Sequence, residues 1–181
     1  GKTTTNTFVY LWTGARHMLE MAKTSEEGQL YTSLSALVLT AFMVEAYLNH
    51  LGKLKHEDWE VIERQKSKKK KLLDFSSAVN IDADLTERPY KSVMILFKFR
   101  DSMAHAKTVT EEIDLEVSDD AFIPASVHRV EWQRFATVET AEELLMDSVA
   151  VIRQLHQASG YDRDPFISGG RSSYVLSRAK T

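Results

Sequence analysis

The side chains best suited to chemistry fall in one stretch, FKFRDSMAHAK, running from Phe97 to Lys107. A histidine such as His105 titrates near neutral pH and can take up or release a proton at a reacting oxygen. An arginine such as Arg100 can grip a phosphate through two parallel hydrogen bonds and stabilise negative charge that develops there. Asp101 lies one helical turn before His105, a spacing that lets a carboxylate reach the imidazole, fix its tautomer and raise its pKa. Ser102 sits between them, and Lys107 adds a cation just beyond. The other histidines are His17, His50, His56, His128 and His156. No two share a helical metal-binding spacing such as HExxH, and there is no Cys, so no metal site is expected. P-loop, GxGxxG and GxSxG patterns are absent, and no cofactor is expected.

The spacing of Arg100 and His105 carries a geometric consequence. Five residues along a regular α-helix turn through about 500°, leaving the two side chains about 140° apart. One such pair does not converge on one phosphate. Two copies facing each other across a two-fold axis do, so the spacing favours a homodimer; a break in the helix near Ser102 is the other solution.

Two features then resemble the HEPN superfamily. One is Arg-x4-His itself, Arg100 to His105, with a polar residue directly after the Arg. The other is the apolar helix before it, LSALVLTAFMVEAYLNHLG, with its acid at Glu45, and the short basic helix KKKKLLDF between the two. The resemblance spans about residues 5 to 158, with the specific part confined to those two helices. It implies an all-α, up-and-down helical bundle and a metal-independent endoribonuclease acting as a homodimer. The RNA 2′-OH would be the nucleophile, giving a 2′,3′-cyclic phosphate and a 5′-OH. Arg100, His105 and Asp101 take the catalytic positions, with Glu45 and Ser102 supporting. Such activities serve defence, stress responses or toxin–antitoxin systems, which makes a cognate antitoxin or other regulatory protein a candidate partner. Toxins paired with nucleotidyltransferase antitoxins commonly carry Tyr two residues after the His; Lys107 stands there in this chain, a departure from that branch. The alternatives are a non-catalytic domain of the same kind that binds RNA, a nucleotide or a protein partner, and a helical dimerisation scaffold in which Arg100 is purely structural.

Glu45 lies among apolar neighbours, where a buried acid requires a cation or several donors. Arg100 is the candidate partner, in a contact compatible with catalysis as a positioning one. The stretch Arg64 to Lys71 holds six basic residues in eight. Such a run is more often a solvated face than a nucleic-acid site, but net charge of −3 gives no global attraction for a polyanion. Any RNA contact must therefore be local, with Lys68, Lys69, Lys70, Lys71 and Lys107 as candidates.

The positioning elements read as helices. Phe8, Leu11, Trp12, Ala15, Met18, Leu19 and Ala22 recur at steps of three and four, an amphipathic helix from about Thr7 to Lys23. Leu30 to Leu51 is apolar on more than one side and is expected at the centre of a bundle, with Gly52 as its stop. Trp59 to Arg64 is a short helical piece, Leu72 to Val79 a short amphipathic helix, and Asn80 to Pro89 a loop. A helix from about Tyr90 carries the motif, and another spans Val138 to Ala158. Ile113, Leu115 and Val117 alternate with acids, suggesting an extended segment near 111–118. Hydrophobic residues at 43% suffice for one core, and seven Gly and three Pro are few, which favours helices. A single domain over 1–158 with an irregular tail over 159–181 is expected. The polar start GKTTTNTF does not resemble a signal peptide, and the apolar run from Gly28 to Val44 is expected to be a buried core helix and not a membrane span. Absence of Cys fits a reducing cytoplasm.

Overall fold

The computed structural model describes residues 2–110, 112, 129–167 and 172–175. Among these the fold is all-α: α1 (Thr7–Thr24), α2 (Gln29–Lys55), α3 (Trp59–Gln65), α4 (Lys68–Ala78), α5 (Tyr90–Ala104), α6 (Glu131–Phe135) and α7 (Val138–Ala158). The extended segment expected near 111–118 lies, apart from Glu112, outside the described residues.

α2 is the central helix, contacting α1, α3, α4, α5 and α7. Its burial explains its composition. Ala36, Leu37, Ala41, Met43, Val44, Tyr47, Leu48 and Leu51 are all buried, and they occupy more than one side of the helix. By length and hydropathy α2 would also be able to cross a membrane; here its apolar residues belong to the core of the bundle. α1 and α7 carry single stripes, Phe8, Val9, Ala15, Leu19 and Ala22 on one and Ala141, Leu144, Leu145, Ser148, Val151, Ile152 and Leu155 on the other. Those stripes cover α2.

Gly52 does not end α2, which continues to Lys55. A Cβ at this position would stand 2.1 Å from the Trp59 ring. The glycine is there for close approach: α3 lays its buried Trp59 directly on the α2 backbone.

Polar contacts fix the ends of the helices that matter for the site. Ser67 caps α4 by accepting a hydrogen bond from the Lys70 backbone N–H. At the start of α5, Arg88 reaches α7 through Asp147 at 2.7 Å and Glu143 at 2.7 Å, while Ser92 donates to Asp147. Tyr90 Oη donates to Gln154 on α7 at 2.9 Å. α5 is thereby held on α7 at its N-terminal end and lies against α2.

The residues after α7 differ from a free irregular tail. Phe166 is buried, with its ring 6.0 Å from that of Phe8 and 5.0 Å from that of Trp12. Two short strands, β1 (Lys2–Thr5) and β2 (Ser172–Val175), then pair antiparallel, Lys2 opposite Val175 and Thr5 opposite Ser172. Gly160, Pro165, Gly169, Gly170 and the serines make the segment read as irregular; within its described residues Phe166 is a buried anchor that composition does not reveal.

Candidate functional site

The motif occupies the last turn of α5 and the residue after it. α5 stays helical through Ala104, with no break at Ser102, whose hydroxyl donates back to the Phe99 carbonyl at 2.7 Å. His105 is the C-cap: its φ of −115° and ψ of 18° leave the helical region, and its backbone N–H donates to the Asp101 carbonyl. The His105 side chain is exposed, as is Lys107. Among the described residues nothing covers the imidazole.

Arg100 points elsewhere. By the helical spacing it lies on the α2-facing side of α5, and its guanidinium sits over the Phe42 ring at 5.2 Å. Its Nε lies 3.5 Å from Glu45 Oε1, and its NH1 donates to Asp101 Oδ1 at 3.0 Å. The Glu45–Arg100 ion pair read from sequence is thus present. It is an ion pair without hydrogen-bond alignment, because Glu45 Oε1 and Arg100 Nε are both buried atoms lacking a hydrogen-bond partner. Burial pushes the Glu45 carboxyl above its ordinary pKa, and the attraction of Arg100 and Lys68 only partly offsets it.

Asp101 does not serve His105 as its spacing suggested. Its Oδ1 accepts from both Lys68 Nζ and Arg100 NH1. Among the described residues, no hydrogen bond or ion pair joins its carboxylate to the imidazole. Burial raises the Asp101 pKa, but the hydrogen bonds from Lys68 and Arg100 outweigh it and hold the carboxyl below the ordinary value. Lys68 also approaches Glu45 Oε1 at 3.9 Å. Two acids and two bases, Glu45, Asp101, Lys68 and Arg100, therefore form one interlocked cluster joining α2, α4 and α5. Its formal charge is balanced.

The basic run divides in two. Lys71 is buried: its Nζ donates to Asn49 Oδ1 at 2.7 Å, lies 3.9 Å from Glu63 and stands 5.5 Å from the Trp59 ring centroid. Burial lowers its pKa, with the carboxylates of Glu63 and Glu45 opposing the shift. It ties α4 to α2 and α3, so its ammonium is already engaged within the chain. Lys66 and Lys70 both hold Asp74. Lys69 is exposed and makes no ion pair among the described residues.

Between the first turn of α4 and the face of α5 runs a groove of about 690 Å³. Lys66, Lys68, Lys69, Lys71 and Lys98 line it together with Ser67, Met94, Phe97, Asp101 and Ser102. Lys98 escaped the sequence reading although a signal was available. Lys98, Asp101, Ser102 and His105 follow one another at steps of three, one and three, which puts them on one stripe of α5. Arg100 lies off this stripe, so within one chain Arg100 and His105 face different directions. Among the described residues no group of three or more His, Asp or Glu is arranged to hold a metal ion.

Comparison of the chain with protein-family models, with curated proteins and with solved structures finds no match.

Proposed function

We propose that this chain is a metal-independent endoribonuclease of the HEPN type, working as a homodimer. The observation that carries this reading is the placement of the motif. His105 stands exposed at the end of α5, at the head of a stripe that lines a basic groove, while Arg100, five residues earlier, lies against Glu45 and Phe42 of α2. His105 would take the proton of the RNA 2′-OH as it attacks phosphorus, or give a proton to the 5′-oxygen as it departs. Arg100 would stabilise the phosphate charge, with Glu45 and Phe42 setting its position. The role of Asp101 is to orient Arg100 and Lys68, and its carboxylate is not in contact with the imidazole. Two copies, each supplying its diverging pair to a shared cleft, complete the site. A cytoplasmic setting and a regulatory protein partner, such as an antitoxin, belong to the same reading.

The test is incubation of a mixed RNA with the chain in EDTA. Wild type is expected to leave 2′,3′-cyclic phosphate and 5′-OH ends, and His105→Ala to leave the RNA intact. Equal cleavage by both, or none by either, removes the assignment. One observation favours a second reading: Glu45 and Asp101 already neutralise Arg100 and Lys68. Salt-dependent RNA binding without cleavage would identify the chain as a binding domain.

A further inference from the structure

We infer that the groove between α4 and α5 is a binding site for single-stranded RNA, with Lys69 and Lys98 as its phosphate ligands. This rests on the endoribonuclease reading for the identity of the polyanion, and it names the strand and the contacts that reading leaves open.

The argument starts from charge that is not cancelled. Of the lysines on the groove, Lys66 is paired with Asp74, Lys68 with Asp101 and Glu45, and Lys71 is buried against Asn49 and Glu63. Lys69 and Lys98 are exposed, and among the described residues neither makes an ion pair. They come from different helices, one on each wall. Among the described residues, an anion lying between them meets two ammonium groups that no carboxylate already occupies, and the one acid lining the groove, Asp101, is turned to Lys68 and Arg100.

The floor decides between strand types. Met94 is half-buried and Phe97 is buried, with the Lys68 ammonium 5.7 Å from its ring centroid. A duplex keeps its bases stacked inside and would offer this depression only sugars and phosphates, leaving the apolar floor unmatched. A single strand can turn one base onto Met94 while its phosphates run along the lysines. The groove volume, about 690 Å³, is in the range of a small-ligand site and so holds a short piece of strand and not a helix.

Position links the groove to the chemistry. Lys98 precedes His105 by seven residues on the same stripe, so it lies about 10 Å back along the axis of α5. A strand held there arrives at His105 along the helix face. The groove therefore acts as a flanking subsite, setting which phosphate reaches the imidazole.

The test measures binding of a short fluorescein-labelled single-stranded RNA of mixed sequence to the full chain carrying His105→Ala, across a salt series. In that background Lys69→Ala with Lys98→Ala is expected to weaken binding by about fivefold or more. It should also lower the slope of log affinity against log salt by about 1.4, since each phosphate contact on a single strand contributes about 0.7. Lys53→Ala with Lys55→Ala, two exposed lysines outside the groove, should leave both quantities unchanged, and a duplex of the same length should bind more weakly. Both groove lysines are exposed, so circular dichroism is expected to be the same for all variants. Unchanged affinity and slope in the groove variant overturn the inference, as do equal losses from the control pair or equally tight binding of the duplex. Parallel cleavage assays on the wild-type chain separate the two claims. Cleavage together with groove-independent binding sinks the groove and keeps the enzyme; groove-dependent binding without cleavage keeps the groove and sinks the enzyme.

Discussion

At the scale of single residues, two cations from the same chain have opposite fates, and the difference is burial. Arg100 is anchored by a cation–π contact to Phe42, an ion pair to Glu45 and a hydrogen bond to Asp101. A lysine keeps the charge but loses the fork and the stacking face. Arg100→Lys is therefore expected to lower kcat by about 100-fold, the cost typical of removing one oxyanion-stabilising donor, as measured from initial rates in EDTA. Near-wild-type rates would mean that Arg100 is a structural cation only. Lys71 behaves in the opposite way. Lys71→Ala leaves Asn49 Oδ1 without its donor while Asn49 Nδ2 still donates to Glu63, so it is expected to cost about 1–3 kcal/mol in denaturant unfolding while leaving RNA affinity intact. A loss of affinity without a loss of stability would return Lys71 to the RNA-binding surface.

At the scale of elements, the sequence exposes what periodicity encodes and hides what depends on a distant partner. The limits of α1, α5 and α7 were close to visible in their apolar steps, and so was the need of Glu45 for a cation, since an acid within an apolar row has few ways to be satisfied. The partner of Asp101 was not visible. Its local spacing points to His105, whereas Lys68 reaches it from 33 residues away. α6 escaped because five residues are too few to show a period. Glycine often ends helices, so Gly52 looks like a stop in the sequence; its actual constraint, the Trp59 ring, exists only once α3 has folded back. Gly52→Ala must therefore push Trp59 away or bend α2. The expected cost is about 1–3 kcal/mol, the range for overpacking a filled core, read as a lowered urea midpoint. A midpoint equal to or above that of wild type would show that α3 docks loosely.

For the molecule as a whole, the junction of α1, α2, α7 and the segment after α7 holds a pair of histidines that sets its response to acid. Burial depresses the pKa of His50, and His156 beside it adds to the effect. His156 is depressed by burial too, against the opposing pull of Asp164. Tyr47 Oη lies 3.2 Å from His156 Nδ1, and burial pushes that phenol far above its usual range. Both imidazoles are favoured neutral in the folded chain, so the unfolded chain binds more protons as pH falls. Their contribution to stability is present above the unfolded histidine value of 6.5 and is lost as pH drops below it. The carboxylates held below their ordinary values, Asp74, Asp101, Asp147 and Asp164, act in the same direction but only in the acid range near and below the ordinary carboxylate value, 3.8. Urea midpoints should therefore decline already between about pH 6.5 and 5, ahead of these four aspartates, with the raised Glu45 carboxyl opposing the decline as it takes up its proton. His156→Gln should flatten that early decline, and an unaltered profile in this variant would contradict the assignment.

The central claim concerns the motif as half of a site. Arg100 faces α2 and His105 faces solvent at the end of the α5 stripe, so neither pairing nor catalysis is expected within one copy of the chain. The direct measurement is RNA cleavage in EDTA by Arg100→Ala, by His105→Ala, and by the two variants mixed after joint refolding. Each variant alone is expected to be inactive. The mixture should regain cleavage, because a mixed dimer joins the intact Arg100 of one copy to the intact His105 of the other. A mixture as inactive as its components, beside an active wild type, would contradict a site shared between two copies.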